Sequence, residues 1–314
     1  MRSRPSNAIV RLTLAASRHP VTAVVANYQG ERLLGDCLDS LAAQTLPPAR
    51  VIVVDGASRD DSRPLAAARG AEVISTQNRG VGHLYNLGAE AAETEFVLLC
   101  NNDVAFDARC VELLADALAA DERRFAADPT QLDWAGERVI HARSRLRRGR
   151  LLREPLPGFV LDQLVPADGV SPTLLANGAA MLVRRSRLLE LRFDESFFME
   201  WEEVDLCWRA WLRGWPSVYV PEAVVRHGVG GSTTPAIRPR RLRSAHHNLV
   251  RFALKCFPPR AAARVVLGEL LRLPRHPLLI APALARVLVE LPEIARERRE
   301  ARPSREVFAQ LSRE

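Results

Sequence analysis

The chain has 314 residues, 47% of them hydrophobic, which supplies a core for one large α/β domain or for one domain with an appendage. The net charge of +7 is carried by arginine, with Lys255 the only lysine; this suits phosphate-bearing ligands or an anionic membrane surface, or else reflects a general preference for arginine. The five cysteines (Cys37, Cys100, Cys110, Cys207, Cys256) show no CxxC spacing, no apolar run approaches the roughly 20 residues of a spanning helix, and the apolar stretch 10–16 is short and broken by Arg11; buried free thiols in a reducing, cytoplasmic setting are expected.

Residues 1 to 20 contain Arg, Ser and Pro and are expected to be poorly ordered. Residues 21–26 form a short apolar run that reads as a buried strand ending in Asn27-Tyr28-Gln29-Gly30. Leu33, Leu34, Cys37, Leu38 and Leu41 have helical spacing, and Pro47-Pro48 closes that helix. A second strand, 51–54, runs into Asp55-Gly56-Ala57-Ser58-Arg59-Asp60. Another helix leads to a strand at 71–75. Asn78-Arg79-Gly80-Val81-Gly82 opens a helix carrying Tyr85, and the strand 96–100 ends in Asn101-Asn102-Asp103. This alternation predicts a parallel sheet with helices on both faces and a ligand at the carboxyl ends of its strands. Asn27, Asp55 and Asn101 to Asp103 stand there. One polar residue after a strand is ordinary turn chemistry, whereas three sets of ligand-capable oxygens favour a site. A dinucleotide site of the usual kind is excluded, since no G-x-G-x-x-G run follows the first strand and no P-loop lysine exists.

A helix is expected from Cys110 to Ala120. The arginine-rich stretch 138–153 reads either as a phosphate-steering or acceptor-facing surface or, with more weight, as a solvated loop. Residues 174–183 read as a strand with Gly178 near its start, where the backbone can approach a ligand or form a bulge. Next comes Phe197-Phe198-Met199-Glu200-Trp201-Glu202-Glu203-Val204-Asp205, four acids among aromatic and aliphatic neighbours. Acids at a helix start interact favourably with its dipole, but burial and like-charge crowding would also raise their pKa values toward general-base work. That helix ends at Gly214 with Pro216 beyond, and a strand over 217–225, broken by Pro221, leads to His227-Gly228. From Arg260 onward the chain reads as helices in which arginines punctuate apolar runs; such a segment either lies on an anionic membrane or packs on the catalytic domain or a second subunit of a homodimer.

The ordered set Asn27-Tyr28, Val53-Val54-Asp55-Gly56-Ala57-Ser58-Arg59-Asp60, Asn78-x-Gly80, Asn101-Asn102-Asp103 and Phe198 to Trp208 resembles the family 2 inverting glycosyltransferases, especially the rhamnosyltransferase-like branch of bacterial surface-polysaccharide assembly. His246-His247-Asn248-Leu249 and Lys255-Cys256-Phe257-Pro258 extend the likeness, which covers about residues 21–257. It implies a GT-A fold: a Rossmann-like open mixed sheet flanked by helices. The nucleotide-sugar half would span about 21–104 and the acceptor half about 105–257, with a basic helical extension over 258–314. It also implies a nucleoside-diphosphate sugar donor, a glycan or lipid-linked acceptor, and Mg²⁺ or Mn²⁺. On this resemblance Asp55 meets the nucleotide base, Asn27, Tyr28, Asn78 and Gly80 complete the donor site, and Asn101-Asn102-Asp103 occupies the metal- and diphosphate-binding position. Asp103 and His227 would hold the metal. Glu203 aligns with the general base, with Glu202 in reserve, while Gly178, Glu200, Trp201 and Asp205 fall on the acceptor side.

Three departures stand out: Asn101 replaces the first acid of the DxD pattern, Gly56 replaces an asparagine, and Glu203 is one methylene longer than the usual aspartate. Inversion needs only one base, unlike the paired acids of glycoside hydrolysis. The competing reading is a non-catalytic module that binds nucleotide sugar or glycan on the same fold. An arginine-rich nucleic-acid binder is disfavoured, because basic residues alternate with acids and no nucleic-acid motif occurs.

Overall fold

The computed structural model describes residues 19–152, 156–228 and 238–311, so the expected disorder of residues 1–20 lies almost wholly outside the described part. The first half is built of alternating strands and helices: β1 (Val21–Asn27), α1 (Leu34–Ala42), β2 (Arg50–Asp55), α2 (Ser62–Ala68), β3 (Glu72–Ser75), α3 (Val81–Ala91) and β4 (Phe96–Asn101). The strands β4-β1-β2-β3 lie side by side and parallel, and Asn27 is in register with Asp55. Period-two alternation sends successive residues of β1 into different cores. Val21, Ala23 and Val25 pack toward Leu34, Cys37, Leu38 and Leu41 of α1; Val24 and Ala26 pack toward Leu84 and Tyr85 of α3. All five cysteines are buried and free.

The second half departs from a simple parallel sheet. After β5 (Val104–Phe106) and α4 (Cys110–Ala119) come β6 (Ala126–Asp133), β7 (Val139–His141), β8 (Arg143–Arg148), β9 (Phe159–Val165), β10 (Ser171–Thr173) and β11 (Ala180–Arg184). β11 lies antiparallel between β4 and β6, so the sheet is mixed, in the order β10-β12-β6-β11-β4-β1-β2-β3. The segment 174–179, read from sequence as strand, is loop. The arginine-rich stretch is not a solvated loop: β8 and β9 pair as an antiparallel ribbon. Its pattern is also period two, with Ser144 and Leu146 inward, while Arg145 and Arg147 pair with Asp162. After α5 (Arg185–Leu191) and α6 (Glu202–Leu212), β12 (Ser217–His227) absorbs Pro221 through a register shift between Val220 and Val224.

Four helices complete the described chain: α7 (Arg238–Cys256), α8 (Pro259–Arg272), α9 (Pro277–Ala301) and α10 (Arg305–Leu311). α7, α8 and α10 join the main core, while α9 packs on Val250 of α7 through Val287 and Ile294. Trp208 of α6 meets Phe252 and Phe257, and Phe308 of α10 packs on Phe159, Trp208 and Phe257.

Candidate active site

The carboxyl ends of β1 and β4, the start of α6 and the end of β12 open onto one cleft of about 1120 Å³. Asn27, Tyr28, Asn78, Gly80, Asn101, Asn102, Asp103, Gly178, Glu200, Glu202, Glu203 and His227 all line it. Three residues expected in the site do not: Asp55, Trp201 and Asp205 lie behind its wall.

At the carboxyl end of β1, the Asn27 Nδ2 donates to Asp55 Oδ2 at 2.7 Å, and Asn102 Nδ2 donates to Asn27 Oδ1 at 2.7 Å. Gly30 is required for this pairing, since a Cβ there would fall 2.1 Å from Asn27 Oδ1 and 2.2 Å from Asn102 Nδ2. Asp55 is fully buried, and its other oxygen accepts the Ser58 amide at 2.9 Å. Satisfied by local donors, its carboxylate orients Asn27 rather than facing the cleft.

The loop after β3 touches the segment before α6 at Gly80. Its φ is +105°, and a Cβ there would lie 2.3 Å from the Phe198 carbonyl oxygen, so only glycine lets these two segments meet. Tyr85, which the sequence placed only on a helix, is a further link: its hydroxyl is 2.8 Å from the Gly178 carbonyl and 3.1 Å from Asn101 Oδ1.

Asp103 and His227, 124 positions apart in the chain, come together because β12 pairs with β5, placing His227 opposite Val104. Asp103 Oδ1 is 3.4 Å from His227 Nε2, and the Gly228 amide donates to the Asp103 carbonyl at 2.8 Å. His227 Nδ1 lies 3.2 Å from Gln131 Oε1. When Gln131 Oε1 accepts from Nδ1–H, Nε2 is left free to ligate a metal beside Asp103. The donor set therefore fits a hard divalent cation with two protein ligands, its remaining positions open to phosphate oxygens and water. Among the described residues no cluster of three or more His, Cys, Asp or Glu side chains surrounds such a site.

The acidic stretch turns into α6 through two left-handed residues, Glu200 (φ +70°) and Trp201 (φ +74°). Non-glycine residues avoid this region. Here Asn248 of α7 holds them, its Nδ2 donating to the carbonyls of Met199 (2.8 Å) and Glu200 (2.7 Å). Trp201 stacks on Phe252 instead of facing a ligand, and Glu200 pairs with Arg241 at the rim. Glu202 and Glu203 occupy the first turn. Burial, then the neighbouring Glu203, pushes Glu202 well above the ordinary carboxylate range, and its Oε2 is buried without a hydrogen-bond partner. Burial is also the main cause that raises Glu203, to about 7, with the Glu200 charge adding to it and backbone amides and His141 opposing it.

Asp205 belongs to a different structure. It is fully buried, with Arg209 Nε 2.7 Å from one oxygen and Lys255 Nζ 2.7 Å from the other. Two residues beyond Glu203 on a helix, it faces nearly the opposite way. A buried pair missed from the sequence stands beside the cleft: His141 Nε2 is 2.8 Å from Asp128 Oδ2, and the Asn177 amide donates to Asp128 Oδ1 at 3.0 Å. Only the pairing of β7 with β6 brings that histidine near the aspartate.

The profile described as glycosyl transferase family 2 matches residues 22–166. The N-acetylglucosaminyl-diphospho-decaprenol L-rhamnosyltransferase of Mycobacterium tuberculosis is 30% identical over 254 residues, 73% of this chain and 81% of that protein. This chain belongs to glycosyltransferase family 2. Among solved structures it is similar to the mannosyltransferase PcManGT from Pyrobaculum calidifontis in complex with GDP-Man and Mn²⁺, with a TM-score of 0.56 and 20% identity over 87% of this chain and 76% of that one. GalNAc-T7 with UDP, GalNAc and Mn²⁺ gives a TM-score of 0.60 at 14% identity, covering 78% of this chain and 49% of that one, so this chain spans about half of GalNAc-T7. These structures share the GT-A fold, and the glycosyltransferase is rhamnosyltransferase-like in sequence.

Proposed function

We propose that this glycosyltransferase moves rhamnose or another hexose, with inversion, from a nucleoside-diphosphate donor to a glycan or lipid-linked acceptor in surface-polysaccharide assembly. The observation that carries the reading is the carboxyl of Glu203, poised near neutrality in the same cleft as the Asp103–His227 pair. Glu203 takes the proton of the acceptor hydroxyl as that oxygen bonds to the anomeric carbon. The anomeric carbon–oxygen bond breaks on the opposite face, and its electrons leave with the nucleoside diphosphate. Asp103 and His227 would hold Mg²⁺ or Mn²⁺, which when bound neutralises charge on the departing diphosphate. Asn27 and Asn102, locked to each other, present a fixed wall to the nucleotide. Glu202, raised well above the ordinary carboxylate range by burial and then by Glu203, stands beside that base.

A screen of nucleoside diphosphates and their sugars by thermal shift, with and without Mn²⁺, tests the donor half. One base should give a metal-dependent rise in Tm that Asp103→Ala removes. No rise with any nucleotide would overturn the reading.

A further inference from the structure

The outer face of the α8–α9 hairpin carries apolar side chains that stay exposed among the described residues. Leu267, Leu270 and Leu271 of α8 are each more than 40% exposed, and on α9 Leu278 (83%), Leu288 (66%) and Val289 (82%) are more so. At 3.6 residues per turn, Leu278, Ala281, Pro282, Ala285, Val289 and Pro292 form one stripe along α9, and every one of them is exposed. The opposite stripe, Ile280, Ala283, Val287 and Ile294, is buried, with Val287 and Ile294 packed on Val250 of α7. The helix therefore already has its core contact, and the outward stripe is a second apolar face.

The charge on this segment is one-sided. Between Pro258 and Val289 the sequence has five arginines (Arg260, Arg264, Arg272, Arg275, Arg286) and one acid, Glu269. That acid is fully buried, paired with His246 and Arg272, and adds no negative charge to the surface. Arg260, Arg264 and Arg275 are exposed beside the leucines.

We propose that this face docks on an anionic phospholipid bilayer, with the leucines in the headgroup–acyl boundary and the arginines on the phosphates. No described helix is long and apolar enough to cross a membrane, so the hairpin lies on the bilayer rather than in it. A symmetric contact with a second copy is disfavoured at the Arg260–Arg275 end, where it would set arginines against arginines; the exposed acids of α9, Glu293 and Glu300, lie toward its far end. α7 connects this face to the cleft: its first turns carry Arg241 at the cleft rim, and its later turns pack under α9. Docking would thus fix the cleft relative to the membrane surface, though the docking itself does not depend on the transfer reaction.

The test is co-sedimentation of the full chain with vesicles of phosphatidylcholine alone and of phosphatidylcholine mixed with phosphatidylglycerol. The expected result is binding to the mixed vesicles at least tenfold tighter than to the neutral ones, weakened by added salt. Leu278→Glu with Val289→Glu, both at exposed positions, should abolish binding with Tm unchanged, and Arg260→Gln with Arg275→Gln should weaken it about fivefold per arginine. Three results would overturn the proposal: no binding to the anionic vesicles at low salt, binding indifferent to the paired glutamates, or self-association in sedimentation velocity that those glutamates abolish.

Discussion

Glu203 and Asp205 stand two residues apart at the start of α6, Glu203 half-buried at the cleft and Asp205 fully buried, and the protein treats them in opposite ways. Asp205 meets Lys255 and Arg209, and Lys255 also lies 2.6 Å from Asp194. Burial alone would raise Asp194, but Lys255 and Arg251 outweigh it and hold that carboxyl well below the usual range. Burial lowers Lys255, yet Asp205 and Asp194 return it above its ordinary value. On the cleft side Glu202 and Glu203 have no cation of this kind. Burial raises both, with Glu203 adding to Glu202 and Glu200 adding to Glu203, which is lifted to about 7. Compensated charge ties helices together; uncompensated charge is reactive.

The comparison can be broken from either side. The largest effect is expected from Glu203→Gln, which keeps the shape but removes the base: kcat should fall by about 10²–10⁴-fold while nucleotide affinity, read by calorimetry, stays within a factor of two or so. Lys255→Met attacks the compensated side and leaves Asp194 and Asp205 buried against fewer cations. Urea unfolding should show a loss of about 3–5 kcal/mol. The pH–rate profile sharpens the contrast. With Glu203 raised to about 7, kcat/KM should climb about tenfold per pH unit on the acid side and level off above neutrality. A profile already flat from pH 5 would rule out Glu203 as base.

The smallest effect concerns stability. A carboxyl whose folded pKa exceeds its unfolded value binds more protons when folded, so stability falls as pH rises from the unfolded value through the folded one. Glu202→Gln removes that penalty. It should raise Tm at pH 8, by about 2–4 °C for each 1 kcal/mol relieved, and do less at pH 5.

The first half, through β4, was largely legible in the sequence, because its strands are short apolar runs and its polar residues follow them directly. Local pattern carried β1, β2 and β4 and the positions of Asn27 and Asn101 to Asp103. It failed where position depends on distant pairing. Asp128 and His141 face each other only through the β6–β7 register, and Lys255 finds Asp205 only after α7 has packed on α6. Composition misled at β8, where the arginines suggested solvent while Ser144 and Leu146 kept strand alternation. The acidic run gave no sign that Asp205 would turn away from its neighbours. Helix phase decides that, and the phase is set by the two left-handed residues before α6.

Those two residues also limit how the enzyme can be re-engineered. The carbonyls that precede α6 are gripped by Asn248, a residue 45 positions after Glu203 and far beyond the 22–166 span that matches the family profile. A chimera made by swapping the segment around α6 would carry Glu203 without the Asn248 amide that holds the turn before it. The transferable unit runs from β11 through α7, and grafts cut between them should yield proteins that fold with a misaimed Glu203.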